Sequence, residues 1–209
     1  MEDVLDVYAE PYNPLRPVIC TDERPCQLLD DVLEPLPMQP GRARRVDNQY
    51  ERKGTCNLFI ALQPLWGWRQ VKVTERRTKV DFAYWLKQLA DVHFPQAEII
   101  RLVLDNLNTH TLSVLYDVFD PVEAHRSARK FELHFTPKHG SWLNMAELEL
   151  SVLVRQCLKQ RIPTIDTMQS LIAAWQQRRN DQHSTVHWRF STFDARTRLS
   201  SLYPSLLSW

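Results

Sequence analysis

No stretch of this chain stays apolar for the roughly 18 residues that a bilayer-spanning helix needs. The opening Met1-Glu-Asp-Val4 also lacks the basic and apolar regions of a secretory leader. Membrane-spanning and exported classes are set aside on those grounds. Cysteine is scarce. Cys20, Cys26, Cys56 and Cys157 fit neither zinc-site spacing nor a disulfide framework, so reduced thiols in a cytoplasmic setting are expected. Charge of one sign is lacking too: 26 basic against 25 acidic residues leave +1. Such a balance does not advertise a nucleic-acid partner, although local patches can still bind one. No internal repeat is present. What the chain does have is enough apolar sequence for one full core, and a single domain over residues 1–209 is expected, with its core over 17–179 and a tail over 180–209.

The hydrophobic pattern gives an ordered series of elements. Residues 17–22 read as a first strand, and 23–54, rich in Pro, Asp and Arg, as an irregular connection. Asn57–Leu62 and Arg69–Val73 read as strands joined by a turn at Gly67. Thr78-Lys-Val-Asp81 has capping-box spacing and starts a helix whose face carries Phe82, Leu86, Leu89 and His93. Ile99–Asp105 is apolar on both faces apart from Arg101, as a covered central strand would be. A short helix around Leu112–Phe119, a second one capped by Asp120 with Pro121 at its first position, and a strand Phe131–Phe135 follow. Asp166 is expected to cap a last helix carrying Met168, Leu171, Ile172 and Trp175, and Asn180–Trp209 shows no clear period.

Three acids stand out. Asp22 and Asp105 each end a buried strand, where open α/β sheets place their chemistry. Glu147 lies four residues after Leu143 and three before Leu150, so helical spacing puts it on the apolar stripe of the segment Leu143–Cys157. Glu149, rotated by about 200° from it, should face elsewhere. A carboxylate on an apolar face is costly unless something meets it. If the two strands are neighbours, Asp22, Asp105 and Glu147 share a crevice. An oxygen-rich site of that kind suits a hard divalent cation such as Mg²⁺.

Cys20-Thr-Asp-Glu-Arg-Pro25, Asp105-Asn-Leu-Asn-Thr-His110 and Leu143-Asn-Met-Ala-Glu147 together resemble the catalytic domain of mariner-type insertion-sequence transposases. The resemblance covers roughly Val18 to Pro204. It implies an α/β, ribonuclease-H-like fold with a mixed five-stranded sheet flanked by helices. It also implies a DDE triad of Asp22, Asp105 and Glu147 acting as catalytic residues and metal ligands, with Asn106 and His110 in support. Two Mg²⁺ or Mn²⁺ ions would be the cofactors, and strand cleavage followed by 3′-hydroxyl strand transfer the reaction. Double-stranded DNA, as element ends and as target, would be the partner, with TA as the target dinucleotide and a homodimer as a further expectation. The setting would be the cytoplasm, at the nucleoid when DNA is bound. Met145 replaces the proline of the family's LNPxE motif, and a helical segment around Asp120–Lys130 lengthens the spacing between the second and third acids. The chain begins shortly before Asp22, which leaves no room for the family's helix-turn-helix region.

Each residue also has a bland reading. Asp22 or Asp105 alone is an ordinary strand-to-loop acid, and Glu147 alone could be paired with a cation. Arg42, Arg44 and Arg45 form a compact basic cluster that could follow a DNA backbone or simply face solvent. His139 and Trp142 are further candidate DNA contacts, the latter because it directly precedes the Glu147 helix. Two other functions stay open: an inactive DNA-binding or assembly remnant of a decayed element, and a ribonuclease-H-like nuclease with a cellular role.

Overall fold

Side-chain alternation along the central strands sorts the core into two halves, one on each sheet face. Leu58, Ile60 and Leu62 point one way with Cys20 and Val103. Phe59 and Ala61 point the other way with Ile19, Leu102 and Leu104. The computed structural model describes residues 1–43, 45–107 and 110–203. Its strands are β1 (Val18–Asp31), β2 (Tyr50–Gln63), β3 (Trp68–Thr74), β4 (Ile100–Leu104) and β5 (Phe131–Phe135). They form one five-stranded sheet in the order β3-β2-β1-β4-β5. β1, β2 and β3 pair antiparallel, whereas β1, β4 and β5 run parallel.

Helices cover both faces. Helix α1 (Glu2–Ala9), α5 (Met145–Gln156) and α6 (Ile165–Asp181) close the first half of the core, supplying Val4, Leu5, Leu150, Leu153, Met168, Ile172 and Trp175. Helix α2 (Lys79–Gln88), α3 (Val114–Val118) and α4 (Pro121–Ala128) close the second, with Phe82, Trp85, Leu86, Val114, Leu115 and Ala124. The Thr78–Asp81 capping box and the Asp120 cap with its following proline form as the sequence indicates.

Three expectations are corrected, and one helix is added at the N-terminus. The first strand does not stop at Asp22 but continues to Asp31, paired with β2 down to Asp31↔Tyr50. Beyond Cys20 it has no β4 neighbour, so Pro25 sits on an edge, where strands tolerate proline. Helix α6 is capped by Thr164, whose side chain accepts from the Thr167 amide; Asp166 lies in the first turn. An N-terminal helix, α1, buries Val4, Leu5 and Val7. In the aperiodic stretch after Asn180, a helix α7 (Thr192–Arg198) forms behind a Ser191–Asp194 capping box, and Val186, Trp188 and Phe190 pack against the core. Arg101, the one charge in β4, is buried, donates to the Arg16 carbonyl at 2.9 and 3.2 Å, and pairs with Glu10. The four cysteines are free. Among the described residues no helix is long and apolar enough to cross a membrane.

Candidate functional site

Parallel register sets the two aspartates side by side. Val18 is level with Arg101 and Cys20 with Val103; two residues further along each chain come Asp22 and Asp105. The backbone at Asp22 is pinned from both faces. Thr21 Oγ1 donates to the Ile60 carbonyl at 2.8 Å and accepts from Trp85 Nε1 at 3.0 Å. From the other side Asn144, 1% exposed, donates through Nδ2 to the Thr21 carbonyl at 2.8 Å. Its Oδ1 accepts from the Ala146 amide at 3.1 Å and so caps α5. One asparagine therefore ties the start of α5 to the residue before Asp22. Tyr8 of α1 adds a second tie, donating from its hydroxyl to the Leu143 carbonyl at 2.8 Å.

Glu147 sits in the first turn of α5, where a negative charge complements the helix dipole. The predicted face is wrong: Glu147 is exposed and Glu149 is the inward acid, 1% exposed. The cause is local. Leu143 belongs to a short turn, Ser141–Leu143, and α5 begins only at Met145, so spacing counted from Leu143 does not define the helix face. Counted from Met145, the buried stripe runs through Glu149 and Leu153. Glu149 has its own partners. Arg69 Nε lies at 2.9 Å, and Arg179 donates through Nε at 2.7 Å and Nη2 at 3.0 Å. That carboxylate is consumed in a buried ion cluster, whereas Glu147 is exposed and near enough to Asp22 for its charge to act there.

The electrostatics fit a crowded group of like charges. Burial pushes the Asp22 carboxyl up to about 7, and the charges of Glu147 and Asp105 push the same way, against a 2.7 Å hydrogen bond from the Glu23 amide to Oδ1 and the charge of His110. His110 is 1% exposed, its Nδ1 2.5 Å from Asp105 Oδ1 and its Nε2 3.2 Å from Glu23 Oε1. Burial pulls its pKa down, but the hydrogen bonds and charges of Asp105 and Glu23 outweigh that and raise it to about 9. The Nδ1 proton is aimed at the Asp105 main-chain carbonyl, 3.1 Å away. Asp105 Oδ1 is thus buried and ion-paired with the His110 ring.

A carboxyl raised by burial and by the charges of two neighbouring acids, in an all-oxygen donor set, is what a hard divalent cation would relieve. Among the described residues, no three His, Cys, Asp or Glu side chains close into a ready-made metal cage. That is compatible with Mg²⁺, which is usually held by one or two carboxylates together with water and substrate phosphates.

The other sequence candidates scatter. Asn106 is exposed beside Asp105. His139 is exposed in a left-handed backbone conformation, φ 65°, in the turn before α5. Trp142 is 45% exposed; its ring stacks on Trp188 at 6.2 Å and meets Phe190 edge-on at 5.6 Å. Arg42 and Arg45 pair with Gln39 and Leu36 in a small exposed ribbon between β1 and β2, and Arg44 lies outside the described residues. That ribbon lies in the connection beyond Asp31, the far end of β1 from its pairing with β4. Sequence reasoning missed Glu23, Arg77 and Asn144. Only Asn144 left a usable signal, as an Asn directly ahead of a helix.

A mixed five-stranded sheet with helices on both faces, and acids side by side where β4 ends next to β1, defines the ribonuclease-H-like fold. Residues 17–169 match the family profile described as DDE superfamily endonuclease, and the chain belongs to that family. Comparison with curated proteins returns no match. Among solved structures, the chain is similar to the Mos1 mariner paired end complex with Mn, at 14% identity and a TM-score of 0.57 over 87% of this chain and 54% of that one. The Mos1 strand transfer complex follows at 13% identity and 0.54, over 81% and 52%. A Mos1 transposase paired-end complex with the left transposon end gives 13% and 0.53, over 81% and 53%. The chain thus spans about half the length of these structures, and at such identities the likeness is one of fold.

Proposed function

We propose that this chain is the catalytic domain of a DDE transposase that cuts DNA strands and transfers the resulting 3′-hydroxyl ends to target DNA. Asp22, Asp105 and Glu147 are its catalytic acids and would hold Mg²⁺ or Mn²⁺, two ions per site. Bound there, the metal would activate an oxygen nucleophile and stabilise the leaving oxygen of an in-line displacement at phosphorus. Water would be the nucleophile in cleavage and the freed 3′-hydroxyl in joining, so one site serves both steps. The chain's own groups supply order. Asn144 holds the first turn of α5, and with it Glu147, against β1 at Asp22. His110 fixes the side of Asp105 turned away from the crevice. Trp142, half-exposed ahead of α5, offers a flat apolar surface to a DNA end. The partners are element ends and a target duplex, with a homodimer as the working assembly. The place of action is the cytoplasm, at the nucleoid.

The observation that carries this reading is the parallel register that sets Asp22 beside Asp105, with burial and the charges of Glu147 and Asp105 raising the Asp22 carboxyl to about 7. A site built to stand empty would gain nothing from gathering them. The test is cleavage and joining of end-labelled duplexes, resolved on a sequencing gel, in Mg²⁺, Mn²⁺ or Ca²⁺. Activity is expected in Mg²⁺ or Mn²⁺ and not in Ca²⁺, whose longer and more numerous bonds misalign the attack. Asp22→Asn, Asp105→Asn and Glu147→Gln should each abolish it. Activity surviving any of the three would overturn the assignment. Cleavage without joining would favour a nuclease.

A further inference from the structure

Asp22 and Glu23 are consecutive on β1, so their side chains leave opposite faces of the sheet. Asp22 opens toward Glu147. Glu23 turns to the α2 side, where its side chain is 5% exposed. A carboxylate so enclosed needs partners, and it has two: Arg77 Nε at 3.3 Å from Oε2, and His110 Nε2 at 3.2 Å from Oε1. Arg77 is half-exposed in the connection between β3 and α2. The His110 ring lies against Phe82 of α2, centroids 4.6 Å apart, which restricts its plane. Its other nitrogen is the one that meets Asp105.

An Arg77–Glu23 pair alone would satisfy Glu23 and leave His110 free to turn. Instead the imidazole spans two acids and cannot flip without parting from both. This matters because β4 ends at Leu104. The sheet ladder stops one residue before Asp105, and the carboxylate there needs some other group to hold its direction. We propose that Glu23 is a positioning residue for Asp105, acting through His110 and held from the surface side by Arg77. The proposal rests on the reading of Asp105 as a metal ligand. Hydrogen-bonding partners behind a metal ligand typically set affinity by about 10–100-fold. By this geometry Asp22 and Glu23 serve one site from opposite faces of one strand, the first as ligand and the second as support for the other aspartate.

The test is Mn²⁺ binding to the full chain, read as the loss of the free-ion electron paramagnetic resonance signal, with melting temperature measured in parallel. Glu23→Ala and His110→Gln should each weaken Mn²⁺ by about 10-fold or more. Glu23→Gln keeps an acceptor for His110 and should lose less. The Glu23→Ala/His110→Gln double variant should bind no more weakly than the worse single one, because both changes cut the same chain of interactions. If Glu23→Ala does not fold, Glu23→Gln with His110→Gln carries the same cycle. Wild-type affinity in Glu23→Ala, or losses that multiply in the double variant, would overturn the proposal while leaving the metal site intact. Wild-type protein that binds no Mn²⁺, or binds it equally well as Asp105→Asn, would instead bring down the metal-site reading and this proposal with it.

Discussion

Asp22 and His110 both hold their protons more tightly in the folded state than in the unfolded one, so both lower stability as the solution becomes alkaline. Folded Asp22 keeps its proton up to about 7, whereas the unfolded carboxyl loses it near 3.8. Between those values the folded state binds more protons, so stability falls as pH rises, and the full penalty is present above 7. His110 is raised from 6.5 to about 9. Its contribution is whole below 6.5 and is lost as pH climbs through 9. Metal-free protein should therefore lose denaturant stability steadily from pH 4 to pH 9. Asp22→Asn should flatten the limb between 4 and 7, on the order of a few kcal/mol, and leave the upper limb in place. Urea titrations of both proteins across that range check this; an unchanged lower limb would mean that neither burial nor the neighbouring acids destabilise the Asp22 carboxylate. Glu149 belongs to the same scale. Glu149→Ala would strand Arg69, which is fully buried, and should cost about 3–5 kcal/mol by urea unfolding. Sequence spacing alone could not separate Glu147 from Glu149, because it does not reveal where the helix begins. A two-residue difference in the start exchanges an acid facing the crevice for one in a buried ion cluster.

At the scale of elements, legibility follows burial. Strands β4 and β5 and the starts of α2 and α4 are readable because apolar runs and caps report covered strands and helix ends directly. The outer half of β1 is not. Its residues beyond Asp22 are mostly half-buried or exposed, and Arg24, Pro25 and Gln27 carry no alternation to read, since pairing with β2 rather than a core holds them. The first turn of α5 depends on Asn144, which has a cap and a cross-link in one side chain. Asn144→Ala should lose about 1 kcal/mol for the cap and about 1–3 more for the buried Thr21 carbonyl left without its donor. Asn144→Asp should restore only the cap. Asn144→Asp as stable as the wild type in thermal unfolding would show that the link to Thr21 contributes nothing. The ribbon at the end of the β1–β2 hairpin makes a separate prediction. If Arg42, Arg44 and Arg45 bind phosphates, replacing all three by alanine should reduce the salt dependence of duplex binding, by a slope of about 0.9 for each phosphate no longer neutralised. An unchanged slope would leave the ribbon as a solvated surface.

Over the whole molecule, the sheet order and the mixed strand directions follow from the alternating core and its two covers, and they put Asp22 and Asp105 next to each other without help from any loop. The parts contributed by α1 and α7 are hidden in the sequence because each helix is short: α1 buries three residues and α7 only Ala195. Their value lies in bonds between distant segments. Arg196 of α7 bonds Glu2 of α1 through Nε and Nη2, both at 2.7 Å, while Tyr8 of α1 reaches the turn before α5. The central claim is that Asp22, Asp105 and Glu147 form one divalent-metal site. The most direct test is a crystal of the chain grown with Mn²⁺ and a short duplex, measured at the manganese absorption edge. An anomalous peak bonded to Asp22 and Asp105, with Glu147 facing the same crevice, is the predicted result. Anomalous density placed elsewhere, or none at saturating Mn²⁺ with DNA bound, would contradict it.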